Sequence, residues 1–281
     1  MSQRFTTALG IAFLGPLAHA QQFTPLEQIR SAQTAGQLLP CDAEGSLLND
    51  FAFAPDFAPF DADLVHDAHC PDAKSLASVL AAQHSAFDSR TVSITADAHA
   101  SLTLPVINQS TASAQSNLDL VLGLDQDADA ILVVDLIAEA LHDPAAVWFQ
   151  TLRISSNDGT ILYEVNRTGS ALDDPFSLRT TRSLRLTGPA ISITAWTAAN
   201  AFTPTSSGTH EATAHADIRL SLISNRCPAD LNADGILDAD DLFLFMDLFA
   251  VDDPLADRDA NAVVDAQDFF MYLDEFVLDC P

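Results

Sequence analysis

Between residues 230 and 241 the chain reads DLNADGILDADD, five aspartates and an asparagine around one glycine, and it then runs into the apolar stretch LFLFMDLFA. Oxygen donors fall at alternate places: Asp230, Asn232, Asp234, the main-chain carbonyl of Ile236, Asp238 and, at the twelfth position, Asp241. A hard cation of calcium's size takes roughly six to eight oxygens. The backbone must therefore wrap around it, and the sixth place, here Gly235, has to turn sharply. The spacing predicts a calcium site whose last ligand, Asp241, opens a helix.

Twenty-seven residues later DRDANAVVDAQD repeats the template with Asp257, Asp259, Asn261, the carbonyl of Val263, Asp265 and Asp268. The repeat extends into the apolar stretches, where Asp247 matches Asp274 and Phe249 matches Phe276. Two loops in register, each followed by a helix, make a chance match or a merely solvated acidic coil a poor explanation. Ala262 stands where the second loop needs a glycine, so that turn is expected to be strained and the second site to bind more weakly. From Cys227 onward the chain holds 14 aspartates, one glutamate and one arginine, a net charge of −14 out of −27 for the whole. Such carboxylates repel one another until cations bind, which makes metal binding a part of folding.

A duplicated loop-helix unit with no helix ahead of each loop resembles the dockerin domain. The stretch from CPADLNADGILDADD to the closing DCP is similar to the short, cysteine-bracketed (GC-type) variety at the C-terminus of exported bacterial proteins. The resemblance covers residues 227–281. It implies two EF-hand-like Ca2+ sites, a small helical fold and a protein partner, a cohesin-like or other cell-surface protein. At the two places before each last ligand, which cellulosomal dockerins use to recognise cohesin, this chain has Ala239-Asp240 and Ala266-Gln267 rather than hydroxyl residues. The apolar residues of the two helices are too many for one small interface, so some are expected to face a partner.

Elsewhere, 39 acidic against 12 basic residues exclude nucleic acid and anionic membrane surfaces as natural partners. Residues 1–20 carry Arg4, an apolar run and Ala18-His19-Ala20, the pattern of a cleaved signal peptide, and no later run of about 18 apolar residues could form a membrane span. A secreted or cell-surface location is expected. Cys41, Cys70, Cys227 and Cys280 then read as disulfides, with the nearest-neighbour pairs favoured among the three connectivities.

The expected fold class is mainly β, an antiparallel β-sandwich followed by the small α-helical unit. Residues 21–74 read as an irregular N-terminal extension with a short helix in PLEQIRSAQTAGQLL, and residues 75–225 as the sandwich. In TVSITADAHASLTL every second residue from Val92 to Leu104 is apolar, and SNLDLVLGL, SLRLTGPAISITAW and HEATAHADIRLSLI share that period. VWFQTLRIS and TILYEV flank SNDG as a hairpin turning at Asp158-Gly159. DADAILVVDLIAEAL is read as a strand through Ile137 with a turn of helix after it.

Other constellations are weaker. His66, His69 and Cys70, with Asp63 and Asp67 nearby, could be drawn as a zinc site, but disulfide chemistry competes for the cysteine and no fourth ligand is evident. Alternation puts His99 and His215 on polar faces and His210 at the head of an apolar one, where it reads as capped or edge-exposed. No nucleophile elbow, zincin motif or phosphate loop is present, and Glu139, Glu164 and Glu211 form no cluster. A non-enzymatic cargo is therefore preferred. The alternative is a polysaccharide-binding or polysaccharide-degrading protein, with carbohydrate as partner, Trp148 and Trp196 as a stacking platform, or a carboxylate pair that only the fold could bring together.

Overall fold

The computed structural model describes residues 22–38, 47–70, 75–104, 110–125, 127–141, 146–202, 207–223, 227–232, 234, 236–259 and 261–277. Residues 1–20, read above as a signal peptide, and Cys41, Gly235 and Cys280 lie outside them. Two antiparallel six-stranded sheets pack face to face. The first has the order β2 (Leu47–Phe53), β1 (Phe23–Gln37), β6 (Thr111–Leu124), β11 (Ala190–Phe202), β8 (Ala146–Ser156), β9 (Ile161–Ser170). The second runs β10 (Phe176–Leu186), β7 (Ala128–Leu141), β12 (Gly208–Leu222), β5 (Thr91–Leu104), β4 (Ser75–Phe87), β3 (Phe60–Cys70).

The alternating segments behave as their period requires. Val92, Ile94, Ala96, Ala98, Ala100, Leu102 and Leu104 of β5 are all buried, and β12 buries Ala212 to Leu222 on every second residue. Inner residues of both sheets form one Leu/Ile/Val-rich cluster and a second, alanine-rich one. Gln150 ties the layers together, its Nε2 donating to the carbonyls of Ile137 (3.2 Å) and His215 (2.5 Å) in the opposite sheet. The hairpin turn forms with Gly159 alone of the expected pair at positive φ (86°). Gly159 N donates to Ser156 O (2.9 Å), and the register shifts beside it between Ile154 and Ser155.

Three expectations are corrected. Residues 23–70 are not an irregular extension: β1, β2 and β3 are full members of the sheets, and the PLEQIRSAQTAGQLL segment is strand rather than helix through Gln37. The reason is physical, since β1 buries Arg30, Ser31 and Thr34 beside Phe23 and Ala32, which erases the apolar alternation. Arg30 lies between Phe60 and Phe87, 5.6 and 4.7 Å from their ring centres. Its guanidinium donates to Ser85 Oγ (3.0 Å) and to the carbonyls of Asp56 and Ala58, which pins the loop before β3. Burial pushes its pKa down, against the nearby charge of Asp56. The 127–141 stretch is strand to Leu141 with no helical turn after Ile137, because Ala138 and Ala140 go on pairing with Ala214 and Ala212 of β12; its apolar run is unbroken because the outer residues Ile131 and Val133 meet the C-terminal unit instead of water. His210 is buried, at 1% exposure, rather than at an edge.

A small unit follows β12: α1 (Ala239–Phe249), a 3-10 turn (Pro254–Ala256) and α2 (Ala266–Val277). It rests on the outer face of the second sheet. Ile131 and Ile223 share a core with Ala229, Leu231, Phe245, Leu248, Ala256 and Tyr272.

Candidate metal centre and docking surface

The 27-residue repeat of the sequence is also a repeat of hydrogen bonds. Asp241 Oδ1 accepts from Asn232 N (2.9 Å) and Oδ2 from Asp238 N (3.1 Å). In the second loop Asp268 Oδ1 accepts from Asp259 N (3.2 Å) and Oδ2 from Asp265 N (2.8 Å). Asp238 caps α1 by accepting from Asp240 N (2.9 Å), and Asp265 accepts from Gln267 N (2.7 Å) at the start of α2. Asp234 Oδ1 takes Ile236 N as Asn261 Oδ1 takes Val263 N, both at 2.8 Å. Each twelfth residue thus closes its loop and begins its helix by a reciprocal capping arrangement.

The helices meet through residues related by the same repeat. Phe245 and Tyr272, one repeat apart, stack at 3.9 Å with 5° between their planes, and the Tyr272 hydroxyl donates to Ala229 O (3.3 Å). Burial, reinforced by Asp241, pushes the Tyr272 phenol well up. Arg258 lies under the same ring and pairs with Glu275. Phe243 and Phe270, also one repeat apart, are 64% and 63% exposed, and Val277 is 79% exposed.

The second loop turns at Ala262 as expected. Ala262 sits at φ 66°, the left-handed region that costs an alanine roughly 1 kcal/mol. Its N–H donates to Asp257 Oδ2 (2.7 Å). Asp257, Asp259 and Asp268 bring one carboxylate oxygen each within 4.8 Å of the others, a donor set that suits a hard cation. In the first loop Asp230, Asn232 and Asp241 are buried. Arg90 Nη1 lies 3.7 Å from Asp230, and Arg219 donates to Asn232 O (3.0 Å). Burial raises the pKa of Asp241 over the effect of its backbone donors, with Asp234 adding to the rise. The donated N–H groups of Asp265, Asp259 and Arg258 hold Asp268 below the usual carboxylate range.

Between the helices Asp253 accepts from Leu255 N (3.0 Å) and from both the backbone N and the hydroxyl of Ser183 on β10. Sequence reasoning missed Arg90, Arg219 and Ser183, because strand positions so far from the loops carry no local signal. The zinc constellation does not assemble. Alternation along β3 turns Asp63, Asp67 and His69 outward, while His66 points inward to Asp50 (3.1 Å) and Cys70 is buried. Neither Cys70 nor Cys227 is a free thiol. Trp148 is core, stacked on Phe176 at 5.5 Å, whereas Trp196 is half-buried on the outer face of the first sheet against Phe149, also at 5.5 Å.

No protein-family model and no curated protein matches the chain. Among solved structures it is similar to infectious bursal disease virus, Gt strain (11% identity, 94% of this chain and 81% of that one, TM-score 0.17). Another is the VP2 subviral particle of the same virus (10% identity, 73% and 67%, TM-score 0.17). A third is the GH31 alpha-xylosidase of Xanthomonas citri (8% identity, 76% and 28%, TM-score 0.18). At these scores none carries an argument about fold or function.

Proposed function

We propose that the chain is an exported, non-enzymatic β-sandwich protein. Its C-terminal unit is a calcium-dependent, dockerin-like module that tethers it to a cell-surface or extracellular protein. The observation that carries this reading is the duplicated hydrogen-bond pattern around Asp241 and Asp268, with ligand-type residues at matching places in both loops. Calcium would be held by Asp230, Asn232, Asp234, Ile236, Asp238 and Asp241 in one loop and by Asp257, Asp259, Asn261, Val263, Asp265 and Asp268 in the other. The repeat-related Phe243 and Phe270 supply exposed apolar contacts for a partner. The Cys227–Cys280 bridge belongs to the same reading and would stabilise the module by roughly 4 kcal/mol in the chain-entropy model.

The test is capture of a cohesin-like partner by the full chain with calcium and with chelator, repeated with Phe270→Ser. Capture that needs calcium and falls with the substitution supports the reading; capture indifferent to both refutes it. The carbohydrate alternative draws support from the Phe149–Trp196 pair alone, and glycan binding abolished by Trp196→Ala would favour it.

A further inference from the structure

On the part of the second sheet's outer face that the C-terminal unit leaves open, Asp63 on β3, Ala82 on β4, Asp97 on β5 and His215 on β12 stand in one cross-strand row, each in register with the next. Neighbouring strands lie about 4.8 Å apart, so Asp63 and Asp97 face each other over a single methyl group at about twice that spacing. His84, two residues along β4 from Ala82, is bonded at Nδ1 to Asp61 Oδ1 (2.5 Å), and its Nε2 lies 3.3 Å from Asp63 Oδ1. His215 Nδ1 holds Asp97 Oδ1 in the same way at 2.7 Å. A groove of about 360 Å³ opens over these residues.

The arrangement has a specific chemical consequence. A carboxylate on one ring nitrogen fixes the imidazole tautomer and leaves the other nitrogen as a lone-pair donor, which is how metal-binding histidines are oriented. Asp61 plays that part for His84. The free donor, Nε2, then faces the carboxylate of Asp63, giving a mixed nitrogen and oxygen set that suits zinc-type ions rather than calcium. Asp61, Asp63 and His84 each place a ligand-capable atom within 4.8 Å of the others. The side chains are exposed enough (44% for His84, 62% for Asp63) for an ion to enter from solution.

We propose that this groove binds a divalent transition-metal ion of the zinc type. His84 Nε2 and Asp63 are the ligands, and Asp61 acts as the positioning residue behind His84. The site is separate from the calcium loops in place and in donor chemistry.

The experiment is calorimetric titration of Zn2+ into the full chain, with calcium already saturating so that the acidic loops are filled. The comparison is with His84→Ala, Asp63→Asn, Asp61→Asn and a His66→Ala control. Wild type and the control should bind zinc alike, while His84→Ala and Asp63→Asn should each lose at least about tenfold in affinity. Asp61→Asn should weaken binding by about tenfold and alter the visible spectrum of the Co2+-loaded protein, which loss of bulk alone would not do. All substituted positions are solvent-accessible, and circular dichroism checks that the sheets persist. Absence of zinc uptake by wild type, or a His84→Ala protein within about threefold of wild type, overturns the proposal. An unchanged cobalt spectrum in Asp61→Asn overturns the role of Asp61.

Discussion

Individual residues decide how the loops and the sheets hold. Ala262 occupies a left-handed conformation that glycine adopts freely. Ala262→Gly should therefore tighten calcium at the second loop by about fivefold, the equivalent of roughly 1 kcal/mol, read by titration. Arg30 is buried among two rings and several main-chain carbonyls. Replacing it with leucine leaves those acceptors without a donor and should cost about 3 kcal/mol in urea unfolding. Asp158, whose carboxylate accepts from Ser156 Oγ and Thr160 N, is lowered to about 2. A depressed carboxyl stabilises the fold above its unfolded pKa and loses that effect as pH falls through its folded one. The β8–β9 turn should thus loosen between about pH 4 and pH 2. Amide exchange of Gly159 and Thr160 measures this, and Asp158→Asn should remove the acid dependence.

At the level of elements, legibility followed locality. The two acidic loops and the helices after them could be read from the chain because each loop's residues lie within twelve positions and the same order recurs 27 residues later. β5 and β12 were plain because each alternates against one core. β1 was not, since it buries Arg30, Ser31 and Thr34, and β7 was legible only in part, since its outer residues Ile131 and Val133 are covered by a unit far along the chain and blur the alternation. β9 shows what a strand gives up to its neighbour. Gly169 lies opposite Trp148, whose indole reaches within 2.4 Å of where a Cβ would stand. Gly169→Ala must displace that ring and should destabilise the sandwich by about 1–3 kcal/mol in thermal or urea unfolding.

For the whole molecule, the C-terminal unit and the sandwich share a core through Ile131 and Ile223, and Arg90, Arg219 and Ser183 hold the first loop and the helix connection. The sandwich thus supports the face of the unit that carries the first loop and leaves Phe270 and Val277 exposed. The loops' placement on β7, β10 and β12 could not be foreseen, because it depends on tertiary contacts with strands far away in sequence. Calcium titration of the full chain by calorimetry tests the proposed role most directly. Two unequal sites in or near the range of about 10⁻⁴ to 10⁻³ M are predicted, with Asp241→Ala abolishing the tighter one and Asp268→Ala the weaker. No calcium uptake, or two equal sites untouched by either substitution, would contradict the account.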